Sequence, residues 1–170
     1  MNFRDHILDV PDFPTPGILF RDITPLLATP GAFSSAVEAM AEPFRSEPPD
    51  KVLGIEARGF MFGAPLALAL GVGFVPARKP GKLPRRTHRV AYGLEYGKDN
   101  LEVHADAFAP GERILIADDV LATGGTAAAA ASLVEDLGAR VIGLTFFIEL
   151  AALEGRSRLP GRLAHAVLVL

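Results

Sequence analysis

The chain has 170 residues, a size suited to one domain, with 49% hydrophobic residues and a mean hydropathy of +0.29, which argues against disorder. It contains no cysteine, which excludes disulfides, thiolate zinc sites and a cysteine nucleophile and is compatible with a reducing cytoplasm. The net charge of −3 carries no global nucleic-acid signal, and the charged start Met1-Asn-Phe-Arg-Asp-His6 lacks the apolar stretch of a signal peptide.

Residues 1–27 are rich in proline and short on periodicity, so they are expected to form a turn-laden arm over the core. Thr29-Pro30 reads as N-cap and first residue of a helix carrying Phe33, Val37, Met40 and Phe44, which Pro43 should kink or end. After a loop at 46–50, Val52 to Ile55 is a first core strand. A helix over about 62–70 and a strand over 72–78 follow. Gly59 to Ala77 has no charged residue and approaches the length of a membrane span, but Gly71, Gly73, Pro65 and Pro76 interrupt it; it reads as a buried helix and strand. Residues 79–89 hold Lys79, Lys82, Arg85, Arg86, His88 and Arg89, the composition of an exposed, mobile, cationic loop. Tyr92–Glu95 and Leu101–His104 are strand pieces around a turn at Gly97–Asn100, where Lys98-Asp99-Asn100 is a variable turn of no chemical consequence. Ile114–Ala117, Val141–Ile148 and His165–Val169 are further strands, and Thr126–Leu137 is a helix with Gly138 just beyond it. Strands alternating with helices imply an α/β fold, a parallel sheet flanked by helices, in one domain spanning residues 1–170.

The densest information lies in Arg113-Ile-Leu-Ile-Ala-Asp-Asp-Val-Leu-Ala-Thr-Gly-Gly-Thr126. A strand buried on both faces ends in two carboxylates, Asp118 and Asp119; a Thr-Gly-Gly-Thr turn then opens an alanine-rich helix. Turn amides and the positive end of a helix dipole cradle a monophosphate, and paired carboxylates accept hydrogen bonds from a ribose diol. No lysine follows Gly124-Gly125, which excludes a P-loop, and Gly71-Val72-Gly73 lacks the third glycine of a dinucleotide loop.

Ligands of parallel sheets sit at the carboxyl ends of the strands. Three further segments should reach that edge: Glu56-Ala-Arg-Gly59, whose Arg58 suits an anionic group; Arg78-Lys-Pro-Gly-Lys82, a second cationic patch; and Leu94-Glu-Tyr-Gly97, whose lone Glu95 reads as solvated or catalytic. A monophosphate on the turn, a diol over two carboxylates and a more anionic group by Arg58 and Lys82 describe 5-phosphoribosyl 1-diphosphate.

The stretch Asp118–Thr126 resembles the ribose-phosphate motif of type I phosphoribosyltransferases. Phe13-Pro-Thr-Pro-Gly17, Phe20-Arg-Asp-Ile-Thr-Pro25, Glu56-Ala-Arg-Gly-Phe60, Arg78-Lys-Pro-Gly-Lys-Leu-Pro84 and Leu94-Glu-Tyr-Gly-Lys98 narrow the resemblance to the adenine phosphoribosyltransferases, in the family's order across most of the chain. The resemblance implies a Mg²⁺-dependent transfer of the phosphoribosyl group from its diphosphate to N9 of adenine, giving AMP and diphosphate in purine salvage. It implies that Ala122, Thr123, Gly124, Gly125 and Thr126 bind the 5′-phosphate, that Asp118 and Asp119 face the ribose hydroxyls, and that Arg58, Lys79 and Lys82 attend the diphosphate. Leu19, Phe20, Arg21 and Leu150 would form the adenine site, Leu19 and Arg21 through backbone groups, Leu19 and Leu150 by packing on the base. Glu95 would handle the adenine proton. It further implies an N-terminal hood (1–27), a flexible active-site loop and hairpin (79–105), a homodimer, no dedicated metal-binding residues, and a cytoplasmic protein without membrane contact. Family members often carry a cis peptide at the position of Glu56–Ala57 and often run a few residues past the position of Leu170.

Enzymes for hypoxanthine and guanine carry an aspartate at the position of Ala122; orotate enzymes usually have glutamate at that of Asp118. The alternatives are a regulator that binds phosphoribosyl diphosphate without catalysis and a transferase for another base. The regulator needs a DNA-binding module, and the roughly 50 residues before the first core strand hold no helix-turn-helix pattern. Nucleic-acid binding through Lys79 to Arg89 has only two aromatics nearby, Tyr92 and Tyr96, for stacking, and the net charge is negative.

Overall fold

The computed structural model describes residues 1–94 and 97–170, and side chains outside 94–98. Strands β1 (Leu8–Pro11) and β2 (Leu19–Asp22) pair antiparallel, Pro11 opposite Leu19, and lead into a short helix α1 (Thr24–Ala28). The arm is therefore a hairpin followed by a helical turn. Strand β1 is mostly exposed and β2 half-buried, with its apolar Leu19 and Phe20 adjacent rather than alternating. Ile7, Ile23 and Leu26 pin the arm to the core. Helix α2 (Pro30–Ala41) starts at Thr29 and stops two residues before Pro43, as expected; the Thr29 hydroxyl, however, donates to the Pro25 carbonyl at 2.9 Å instead of capping an amide.

Strand β3 (Lys51–Ile55) enters helix α3 (Arg58–Leu70), which begins four residues ahead of the expected 62 and so brings Arg58 into its first turn. Strand β4 (Gly73–Ala77) follows. Strands β5 (Thr87–Leu94) and β6 (Gly97–His104) form one long antiparallel ribbon. Two expectations are corrected here. The cationic loop ends at Arg86, because Thr87–Arg89 pair with Glu102–His104, and Gly97–Asn100 are strand residues rather than a turn. Strand β7 (Arg113–Leu121), helix α4 (Gly125–Asp136), strand β8 (Arg140–Glu149) and strand β9 (Ala164–Val169) complete the chain.

The sheet is parallel, in the order β4-β3-β7-β8-β9. Ile114 and Ile116 of β7 face one core layer, shared with α4 and the β5–β6 ribbon; Leu115 and Ala117 face the other, shared with α2 and α3. This fold is α/β, with five parallel strands flanked by helices. In the second layer the Phe62 and Phe147 rings stack at 5.4 Å, with Phe33 and Phe3 edge-on. Among the described residues no helix is long and apolar enough to cross a membrane; the uncharged stretch 59–77 is instead α3 and β4.

The chain turns from β3 to β4 on one side and later from β7 to β8 on the other. Strands β3 and β7 therefore flank the point where the strand order reverses, and crevices form at the carboxyl ends of such strands.

Candidate active site

Strand β7 does not end at its carboxylates. Its pairing with β3 stops at Gly54 opposite Ala117, whereas its pairing with β8 runs on to Leu121 opposite Glu149. Asp118 and Asp119 therefore lie where one neighbour has departed. The alternation also slips there: Ile114 and Ile116 share a layer with Leu121, and Leu115 and Ala117 share one with Val120. Successive side chains of a strand normally point to opposite faces; across this slip both acids reach one cleft.

That cleft has a volume of about 640 Å³, within the roughly 300–1,000 Å³ usual for small-molecule sites. It brings together Leu19, Phe20, Arg21, Arg58, Lys79, Asp118, Asp119, the whole run Ala122–Thr126 and Leu150. Two expected residues stand apart. Lys82 does not line the cleft: its ammonium lies 2.7 Å from Glu56 Oε2. Glu95 lies outside the described residues.

Gly124 adopts φ +83° and is the residue before α4, whose first turn then presents free amides to the cleft. A Cβ on Gly124 would stand 2.3 Å from the Gly155 carbonyl oxygen, so glycine is demanded by both conformation and space. The turn at Gly155–Arg158 that backs this loop is anchored by Arg156, which forks onto the buried Glu149 carboxylate at 2.6–2.9 Å and donates to the Ala164 carbonyl. The Leu150 amide donates to the Leu121 carbonyl at 2.9 Å, fixing Leu150 beside the end of β7.

Arg58 lies at the start of α3, after a cis peptide between Glu56 and Ala57. Its Nε donates to Asp119 Oδ2, and its guanidinium sits 5.4 Å from the centre of the Phe20 ring, linking the arm to the cleft floor. Arg21 uses its side chain on Asp9. Asp118 Oδ1 accepts from the Asp119 amide at 2.9 Å and packs on Gly59, where a Cβ would come within 2.7 Å of it. Burial pushes the Asp118 carboxyl well above its usual range, and the Asp119 carboxylate pushes the same way; Arg58 opposes them. Asp118 therefore holds a proton to higher pH than an isolated aspartate.

Sequence reasoning did not single out Glu56, Tyr92 or Asp99, all of which line the cleft. Burial raises the Glu56 carboxyl, but hydrogen bonds from Lys82 and the Lys79 amide, with Arg78 nearby, outweigh it and hold the group below the usual range. Tyr92 and Asp99 face each other across the ribbon and both meet Lys79. Asp99, read as part of an inconsequential turn, therefore belongs to the cleft. The missed signal was the strand character of residues 97–100, which only the pairing with β5 reveals.

An amide-lined glycine turn, an acidic pair and cations thus meet in one cleft at the reversal of a parallel sheet. The family described as "Phosphoribosyl transferase domain" matches residues 23–160. The adenine phosphoribosyltransferase of Acidothermus cellulolyticus is 57% identical over 163 residues, 96% of this chain and 92% of that one. That of Carboxydothermus hydrogenoformans is 58% identical over 162 residues, 95% of each. Among solved structures, the adenine phosphoribosyltransferase of Thermoanaerobacter pseudethanolicus superposes with a TM-score of 0.96 at 49% identity, over 99% of this chain and 98% of the other. The Saccharomyces cerevisiae structure, complexed with D-2,5-dideoxy-2,5-imino-altritol 1,6-bisphosphate and adenine, superposes with a TM-score of 0.90 at 43% identity, over 95% and 94%. The chain belongs to the phosphoribosyltransferase family and, within it, to the adenine phosphoribosyltransferases.

Proposed function

We propose that this protein transfers the 5-phosphoribosyl group from 5-phosphoribosyl 1-diphosphate to N9 of adenine, releasing AMP and diphosphate. The observation that carries the reading is the convergence of the turn at Ala122–Gly124 and the first turn of α4 with Asp118, Asp119 and Arg58 in one cleft. The turn amides hold the 5′-phosphate, Asp118 and Asp119 hold the ribose hydroxyls, and Arg58 and Lys79 bind the diphosphate, with Lys82 joining them once free of Glu56. The bond from C1 of the ribose to the diphosphate oxygen breaks, its electron pair leaving with the diphosphate; the N9 lone pair forms the new bond to C1. The charge that develops on the leaving group is what the fixed cations stabilise.

Adenine packs between Leu19 and Leu150, with Phe20 and Arg21 beside it, under a hood formed by residues 1–27. Ala122 supports the choice of base. It offers no carboxylate to a 6-oxopurine, and a site of paired donors and acceptors rejects a base with the reversed pattern.

Among the described residues no three acidic or histidine side chains converge as a metal cage. The two adjacent carboxylates nonetheless suit Mg²⁺, which binds through one or two carboxylates plus substrate oxygens. Mg²⁺ would sit on the diphosphate and ribose hydroxyls of the substrate, with Asp118 and Asp119 beneath those hydroxyls, and would offset charge on the departing diphosphate. The homodimer belongs to the same reading: α3 leaves Leu68 83% and Met61 38% exposed, an apolar strip that a second copy would cover.

One assay tests the whole. Purified protein with the sugar diphosphate and Mg²⁺ should release diphosphate with adenine and not with hypoxanthine, guanine or orotate; equal release with a 6-oxopurine would remove the adenine assignment. The proton lost from adenine goes to Glu95 in this reading. Glu95→Gln should then lower kcat by on the order of a hundredfold, the scale of a general acid–base contribution, with little change in affinity for the sugar diphosphate. Unchanged turnover would take Glu95 out of the mechanism.

A further inference from the structure

Tyr92 and Asp99 are directly opposed in the β5–β6 ribbon, so their side chains project from the same face. The Tyr92 hydroxyl donates to Asp99 Oδ2 at 3.1 Å. Lys79, at the exit of β4, donates to that hydroxyl at 3.0 Å and to the same Asp99 oxygen, with its ammonium 5.4 Å from the centre of the Tyr92 ring. Thr126, in the first turn of α4, lies 3.5 Å from the Tyr92 hydroxyl. This chain of polar groups crosses the cleft from the glycine turn to Lys79, and every member lines it.

The pairing affects both partners. Burial lowers the Lys79 ammonium, but the hydrogen bonds to Asp99 and Tyr92 outweigh it and hold the group above its usual value; the hydrogen bond from Lys79 holds Asp99 below its own. An ammonium has three donor hydrogens, and two here are engaged by the protein. A carboxylate oxygen thus occupies the place at Lys79 that a diphosphate oxygen would take.

We propose that Asp99 is a positioning residue that competes with diphosphate for Lys79: it holds the ammonium when the cleft is free, yields it when diphosphate arrives, and recaptures it as diphosphate leaves. Asp99 thereby weakens diphosphate binding and speeds its release. This inference rests on the assignment of Lys79 to the diphosphate made above.

The test is the affinity of inorganic diphosphate, with Mg²⁺, for the wild type, Asp99→Asn, Lys79→Met and the double variant, measured by calorimetry, alongside steady-state turnover with adenine. Asparagine keeps the shape and a hydrogen-bond acceptor while removing the charge. Asp99→Asn should tighten diphosphate about fivefold, the effect of one unit charge at roughly 4 Å in a water-like medium, and should lower KM for the sugar diphosphate with no gain in kcat. In the Lys79→Met background the same exchange should have no effect, since neighbouring residues that act through one another are not additive. Unchanged or weaker binding by Asp99→Asn overturns the proposal, as does a tightening that persists without Lys79. A wild type that binds no diphosphate fails the assigned function itself; a wild type that binds it, with an indifferent Asp99→Asn, fails only this inference.

Discussion

Asp118→Asn should yield a protein that is more resistant to heat and has lost most of its turnover. The direction of the stability change follows from linkage. The Asp118 carboxyl is held well above its usual range in the native state, first by burial and then by Asp119. A native group with a raised carboxyl pKa binds more protons than its unfolded counterpart between the two values, so stability falls as pH rises from about 3.9, the unfolded value, through the native one. Above that range the whole penalty is present. Asparagine removes it: its oxygen still accepts from the Asp119 amide, and its NH₂ donates to the Asp119 carboxylate, the arrangement that protonated Asp118 makes. The expected gain is about 0.5–2 kcal/mol near neutral pH, and about 2–4 °C in Tm per kcal/mol for a chain of this size. The gain should vanish below about pH 4. Activity should fall on the order of a hundredfold, because a neutral amide no longer offers a carboxylate to the ribose diol. Melting curves against pH, beside kcat/KM, decide it; a variant less stable than the wild type at neutral pH would show that the charge is not a burden on the fold.

Gly124→Ala should produce the largest loss of both stability and phosphate binding. At φ +83° an alanine is strained by about 1–3 kcal/mol, and its Cβ would press on the Gly155 carbonyl oxygen at 2.3 Å. That oxygen belongs to backbone held by the Arg156–Glu149 fork, so it has little freedom to move away. Overpacking adds about 1–3 kcal/mol more. Relief requires the loop to swing from Gly155, which turns the α4 amides off the cleft. The urea midpoint should drop, and affinity for ribose 5-phosphate should fall by more than tenfold, without change in the far-ultraviolet spectrum of the remaining folded protein. Wild-type affinity for ribose 5-phosphate in the variant would mean that the turn does not hold the phosphate.

How far the chain could be read in advance differs from segment to segment. Buried strands such as Ile114–Ala117 were legible because they are uninterrupted runs of apolar residues, and α2 because Thr29-Pro30 and Pro43 bracket it. The arm hairpin and the reach of the β5–β6 ribbon were not, because β1 is mostly exposed and the parts of the ribbon that were missed, Thr87–Arg89 and Gly97–Asn100, hold no large apolar residue. In the cleft, Asp118–Thr126 could be read as one contiguous phrase of chemistry. Tyr92 and Asp99 could not, since their meeting depends on hairpin register, and a shift of one residue would turn both side chains to the opposite face.

The amino-acid order alone determined the α/β architecture, the glycine turn at the head of α4 and the acidic pair before it, because each is encoded by neighbours in the chain. Tertiary structure decided which charges face one another: Arg58 on Asp119, 61 positions away; Lys82 on Glu56, 26 away; Lys79 on Asp99, 20 away. Ion pairs between distant segments depend on the distance left between them after the sheet has closed, and Coulomb energy at a few ångströms is set by that distance rather than by residue type.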